Sequence, residues 1–204
     1  MRTSRAALLA ACVAGAASAQ TAVDFDPPAD PGEPALVLRT WPAELGPAVR
    51  REIRVFADGR CERDRATFQP GPGGTVRRVH TERFRVGAAE ARALVAQALD
   101  AGAADLDARA VQRSLRAARA AADDGVHHHV LDEDVVEVEL HAARVRAPGR
   151  AERRDVRHVV RWVGLRADLR EHPGDARVQR MGALRDALES VANAAAPTAA
   201  GGAP

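Results

Sequence analysis

Glu52 to Glu62, read as Glu-Ile-Arg-Val-Phe-Ala-Asp-Gly-Arg-Cys-Glu, has the pattern of a β-hairpin. Ile53 and Val55 alternate with Glu52, Arg54 and Phe56 at the period of a strand. Asp58-Gly59 brings the residues that tolerate positive φ in a tight reversal. Charge then selects the register. A two-residue loop would set Arg54 against Arg63 and Val55 against Glu62. A three-residue loop with Gly59 as a left-handed bulge pairs Arg54 with Glu62 and Val55 with Cys61, and this second pairing is expected.

A second alternation lies later in the chain. Val136, Val138 and Leu140 alternate with Glu137, Glu139 and His141, and Val156, His158, Val160 and Trp162 answer after a turn at Ala147-Pro148-Gly149-Arg150. Placing Val138 opposite Val160 also brings Val136 to Trp162 and Glu137 to Arg161, which leaves one apolar face and one salt-bridged face. Ala35 to Trp41 reads as a further short strand stopped by Pro42, and Val76 to Val86 as an extended segment. The return strand of the first hairpin fades into the Pro/Gly run Gln69 to Gly74, which can be neither helix nor interior strand.

Between the hairpins the period lengthens. Glu90, Leu94, Val95, Ala98 and Leu99 mark one helix ending at Gly102, and Val111, Leu115 and Ala118 mark another that starts at the N-cap Asp107 and stops at Asp123-Asp124-Gly125. Leu165 to Arg170 reads as a short helical turn. Val178, Met181, Leu184, Leu188 and Val191 form the stripe of a last helix. The expected fold is therefore α+β: a single antiparallel sheet built from two hairpins plus flanking strands, covered on one face by about three helices.

The ends of the chain carry an address. Arg2 and Arg5, the apolar run Ala6 to Ala16, and Ala17-Ser18-Ala19 before Gln20 have the layout of an export signal over residues 1–19. Residues 20–34, rich in Pro and Asp, read as a flexible leader; residues 35–193 form the α+β domain; residues 194–204 read as a disordered tail. The expected location is periplasmic or extracellular. An alternative is lipid anchoring through Cys12, since Leu9-Ala10-Ala11-Cys12 is similar to a lipobox, although that leaves a shorter apolar run than the roughly 7–15 residues of a signal. No later segment supplies the about 20 apolar residues of a membrane-spanning helix.

Removing that signal takes two of the 30 basic residues and none of the 28 acidic ones, so the remainder carries 28 of each sign. All the basic residues are Arg, interspersed with Asp and Glu in the manner of a solvated surface. With no Tyr and few aromatics, nucleic acid is not an expected partner. The absence of Lys excludes Schiff-base chemistry and a P-loop lysine. Beyond the signal the serines are Ser114 and Ser190, and neither sits in a nucleophile elbow. No dinucleotide-binding glycine pattern follows a strand. Cys61, alone once Cys12 leaves with the signal, reads as a small core residue facing Val55; His80 and His158 are the imidazoles that would have to activate it as a nucleophile.

The strand ending Phe-Ala-Asp-Gly-Arg, the helix Gly-Ala-Ala-Glu-Ala-Arg-Ala-Leu-Val, and the late Glu-Val-Glu-Leu strand followed by Arg-His-Val-Val-Arg-Trp together resemble uncharacterised exported α+β proteins of high-GC bacteria. These combine an early Asp-Gly-Arg hairpin with a closing helix. The resemblance spans roughly residues 35 to 192 and implies an address and a fold, with no activity to transfer.

Two surfaces carry candidate chemistry. His127 and His129 share a face of an extended segment, and His141, Glu139 or Glu137 from a neighbouring strand would complete a zinc site with an open position; Asp132-Glu133-Asp134 offers oxygen ligands instead. Glu137 and Glu139, roughly 6–7 Å apart along a strand, have a spacing compatible with acid–base work on a glycoside, with Arg161 and Arg157 as their plain structural partners. The leading expectation is a non-catalytic binding module of the cell envelope, working through a charged face of Arg54, Glu62, Glu137, Glu139 and Arg161 toward another envelope protein or a surface component, with no cofactor. The alternative is a metal-binding or metal-dependent hydrolytic domain using zinc at His127 and His129.

Overall fold

A computed structural model describes residues 23–71, 73–121 and 133–194. The stretch read as an export signal, Cys12, the histidine run 127–129 and residues 195–204 lie outside these described residues. Seven strands form one antiparallel sheet: β1 (Asp24–Asp26), β2 (Leu36–Pro42), β3 (Arg51–Val55), β4 (Arg60–Gly71), β5 (Gly74–Arg85), β6 (Asp134–Arg146) and β7 (Arg153–Val163). Four helices accompany them: α1 (Ala88–Asp100), α2 (Ala108–Ala121), α3 (Leu165–Glu171) and α4 (Ala176–Ala194). The order across the sheet is β7-β6-β2-β3-β4-β5, with β1 lying beside the far end of β6.

Both hairpin registers are those expected from sequence. Arg54 pairs with Glu62 and Val55 with Cys61, while Val138 pairs with Val160, Val136 with Trp162 and Glu137 with Arg161. Gly59 has φ +84°, and a Cβ there would stand 2.4 Å from the Val86 carbonyl oxygen, so the loop needs glycine both for its backbone and for the close pass of the chain leaving β5. The hairpins do not pair directly. β2 is inserted between β3 and β6.

One sheet face is apolar and covered by the helices. Leu36, Leu38, Ile53, Val55, Val136, Val138, Leu140, Val160 and Trp162 pack there against Leu94, Val95, Ala98, Leu115, Leu165, Val178, Met181, Leu184 and Leu188. The helix ends follow local chemistry. Asp107 caps α2 by accepting the Ala110 N–H at 2.9 Å, Gly102 at φ +89° closes the end of α1, and Asp175 accepts the Arg177 N–H at 2.9 Å at the start of α4. The short helical turn after Gly164 is a complete small helix, α3.

Two expectations need correction. Residues 20–34 are not simply a leader: Asp24–Asp26 is a strand, with Phe25 buried against Val145 of β6 and both aspartates bonded to Arg144. An apolar residue between two acids is the shortest alternation that can seal a sheet end, and composition hid it. The run Gln69 to Gly74 does not mark a strand that fades out. β4 continues to Gly71 and β5 starts at Gly74, with Gly71 opposite Gly74, so β4 and β5 form a ribbon longer than the sheet beside it. Proline is tolerated there because β4 beyond Asp64 has no β3 neighbour.

Candidate functional site

The second sheet face carries the charged residues singled out from sequence. Strand register sets them in rows. Arg161, Glu137, Arg39, Glu52 and Asp64 stand side by side across β7, β6, β2, β3 and β4, and Glu139, Val37, Arg54, Glu62 and Arg83 form the adjacent row across β6, β2, β3, β4 and β5. Because arginine and carboxylate are interspersed along and between the rows, the two central guanidiniums, of Arg39 and Arg54, each meet three acids.

Arg39 is the hub that sequence reasoning missed. Its Nε donates to Glu52 Oε2 at 2.8 Å, and its Nη1 donates to Glu137 Oε1 at 3.0 Å and to Glu139 Oε2 at 2.7 Å. Arg54 repeats the arrangement one strand over, donating to Glu52 Oε1 at 2.6 Å, Glu62 Oε2 at 2.8 Å and Asp64 Oδ2 at 2.5 Å. Glu52 is thereby shared between two arginines and is 5% exposed. Its signal was present as the alternation Glu52-x-Arg54, but its partner on β2 depends on a strand order that no local pattern specifies.

These contacts hold the acids ionised. Burial pushes the Glu52 carboxyl up, but hydrogen bonds from Arg39 and Arg54 outweigh it and hold the group below its ordinary range. Glu139 is likewise raised by burial and lowered further by His141 and Arg39, with the net shift downward, and Glu62 is lowered against burial by Arg54 and Arg83. Arg39 itself loses by burial and gains more from Glu52, Glu139 and Glu137, so its charge is reinforced. A glycosidase acid needs a raised carboxyl pKa. Glu139 has the opposite, and Glu137 and Glu139 accept from the same Arg39 nitrogen.

The partners foreseen for those glutamates are different in the fold. Arg161 keeps its register opposite Glu137, yet its guanidinium lies 5.3 Å from the Trp41 ring centroid. Arg157 bonds Glu33, from the segment read as leader. Beneath the charges Val37, Trp41, Phe56 and Val135 are buried, so this face is a second, thin apolar layer roofed by arginine stems.

Of the proposed metal ligands, the structure brings together Glu139 and His141, with His141 Nε2 at 2.6 Å from Glu139 Oε1. Glu33 Oε1 lies 3.0 Å from His141 Nδ1, off the hydrogen-bond direction of that nitrogen, which is buried without a hydrogen-bond partner among the described residues. His127 and His129 lie outside the described residues. Among those described, no group of three or more His, Cys, Asp or Glu side chains is placed to hold a metal ion. Glu139 already accepts from a guanidinium, a poor neighbour for a dication.

Cys61 faces the core opposite Val55. Burial pushes its thiol up to about 11, with Glu90 and Asp58 adding to the effect, the reverse of what a nucleophile needs. His80 stands opposite Arg65, four rungs or about 13 Å along the ribbon from the Cys61–Phe84 pair. His158 Nε2 lies 3.5 Å from the Leu106 carbonyl.

Among the described residues two surface hollows stand out. One of about 200 Å³ is lined by Gln112, Arg119, Asp168, Glu171 and His172, and these charged groups already have partners: Asp168 accepts from the buried Trp162 Nε1 at 2.7 Å, and Glu171 accepts from Arg119 at 2.7 Å. The other, about 300 Å³, is an alanine-lined groove beside Phe25 and Arg92.

The β4–β5 ribbon contrasts with all of this. From the Arg65–His80 pair to the Gly71–Gly74 pair it projects seven rungs, about 20 Å, past the end of β3. Phe68 is 50% exposed and Val76 and Val79 are each 45% exposed. Phe68 and Val79 are diagonal neighbours on one face, with Ala66 opposite Val79. Between Arg65 and Thr81 the chain holds Arg65, Arg77, Arg78 and His80 and no acid. Compared with protein-family models, with curated proteins and with solved structures, the chain matches none of them.

Proposed function

We propose that this chain is an exported, non-catalytic binding domain of the bacterial cell envelope, and that it engages another envelope component through the β4–β5 ribbon. The observation that carries the reading is the ribbon itself: an arm exposing Phe68, Val76 and Val79 beside Arg77 and Arg78, to which no acid among the described residues is bonded. A folded domain gains nothing in stability from holding an aromatic ring and two branched side chains in water, whereas a partner that covers them gains from their burial. The charged face first expected to bind is a weaker candidate, since its arginines and carboxylates are bonded to one another and would have to exchange those contacts for a partner's.

The test is photo-crosslinking in intact cells. The full chain is expressed with a photoreactive amino acid at Phe68, at Val79, or at Leu45, an exposed apolar residue on a different part of the surface, and adducts are sought in the envelope fraction. A discrete adduct from Phe68 and Val79 and none from Leu45 supports the reading. Recovery of the chain in the cytoplasm, or equal adducts from all three positions, overturns it.

A further inference from the structure

Resting on that reading, we infer that β5 is a docking edge, and that its occupant is an extended acidic segment of a partner protein that adds to the sheet as a further strand. The hydrogen-bond phase of the ladder decides which backbone groups are free. The Val86 N–H donates to the Gly59 carbonyl at 2.9 Å, and antiparallel pairs alternate between bonded and non-bonded. Hence Glu82, His80, Arg78 and Val76 bond back to β4, while Thr81, Val79, Arg77 and Thr75 turn their N–H and C=O groups outward. Gly71 opposite Gly74 falls in the bonded phase too, as a two-residue connection requires.

The two edges of the ribbon are not equivalent. By the same alternation Ala66, Phe68 and Pro70 point their backbones to the β4 side, and Pro70 has no N–H to offer, which blunts that edge. β5 has no proline and no interruption in its pairing from Gly74 to Arg85. An edge of that length and regularity is one that proteins ordinarily disrupt.

Charge selects the occupant. The outward positions of β5 carry Arg77, Arg83 and Arg85 with Thr75, Val79 and Thr81, and Arg65 and Arg78 flank them on the opposite face. A second copy of the chain pairing antiparallel through this edge would bring together two ribbon ends that each carry Arg65, Arg77 and Arg78 and no acid between Arg65 and Thr81. A strand bearing carboxylates would instead meet Arg77 and Arg78, to which no acid of the described residues is bonded, and would cover Val79 and Phe68. A lipid interior is unsuitable because the outward N–H groups would find no acceptor there. Strand addition satisfies both the backbone and the side chains.

The probe is a synthetic peptide alternating glutamate with valine, titrated into the full chain and followed by backbone amide shifts and hydrogen exchange. Expected is slowed exchange at Thr75, Arg77, Val79 and Thr81, with affinity falling as salt rises. Arg77→Glu/Arg78→Glu, at two exposed positions, should weaken binding by roughly tenfold or more. Val79→Pro removes an outward N–H while leaving the bonds to β4, and should abolish it; an unchanged amide spectrum for the helices verifies its fold. Binding that survives Val79→Pro, equal binding of a lysine–valine peptide, or tighter binding of duplex DNA or phosphatidylglycerol vesicles through the same arginines each overturns the assignment. If crosslinks from Phe68 persist in cells while the peptide fails, strand addition is wrong and the binding domain stands.

Discussion

Arg63 Nη1 donates to the carbonyl oxygen of Ala192 at 2.7 Å, joining β4 to the last turn of α4 across 129 residues of sequence. The same guanidinium donates to Glu82 of β5, and Arg63 is 6% exposed. A cation thus meets the negative end of a helix at the place where the apolar core gives way to the ribbon. Arg63→Met should lower stability by about 2–4 kcal/mol, since it leaves a helix-end carbonyl and a carboxylate without their donor. Urea denaturation measures this. An unchanged midpoint would mean that α4 does not depend on the contact.

Stability should fall in acid because of Arg39 and Arg54. Glu52, Glu62 and Glu139 carry folded pKa values below their ordinary 4.5, so the folded chain binds fewer protons there than the unfolded one. Their contribution is complete above about pH 5 and is lost as pH drops through the unfolded value toward the lower folded ones. Arg39→Met should cost about 2–4 kcal/mol at neutral pH and flatten the acid limb of a stability–pH curve. Parallel curves for wild type and variant would refute the linkage.

Gly59→Ala should destabilise the first hairpin by about 1–3 kcal/mol through its left-handed φ alone, and further because the new methyl would meet the Val86 carbonyl. Thermal unfolding of the variant, compared with Gly149→Ala at a turn where no atom lies within 4 Å of the added methyl, separates strain from collision. Equal losses at both positions would show that the close approach is unimportant.

Cys61 should be silent in the native protein. Its burial and a thiol pushed up to about 11 predict slow labelling by an aromatic disulfide reagent at neutral pH, rising to the ordinary rate in denaturant. Fast native labelling would reopen the question of a reactive thiol.

Zinc should bind without help from the charged face. Glu139 is bonded to both His141 and Arg39, so His141→Ala is expected to leave calorimetric zinc affinity unchanged, and His127→Ala/His129→Ala to remove only weak binding. Tight one-to-one binding lost in both variants would make this a metal protein and restore the hydrolytic alternative.

The sequence alone determined most of the elements, β1 and the outer part of the β4–β5 ribbon excepted, and the registers of the β3–β4 and β6–β7 hairpins. Local charge and apolar alternation suffice where partners are a turn apart: Arg54 finds Glu62 eight residues away, and a slip by one residue would expose a whole apolar face. Asp107 and Gly102 likewise mark helix ends by groups within a few residues of one another. Tertiary structure decided what those elements meet. Arg39 reaches Glu137 and Glu139 across 98 and 100 residues only because β2 is inserted between the hairpins, and Phe25 becomes core only because β6 offers a free end. The β5 edge, too, is free only because the strand order leaves β5 as the last strand of the sheet. Strand neighbours are chosen by burial summed over the whole sheet, against the entropy of closing long loops, and that sum leaves no mark in any short stretch of sequence.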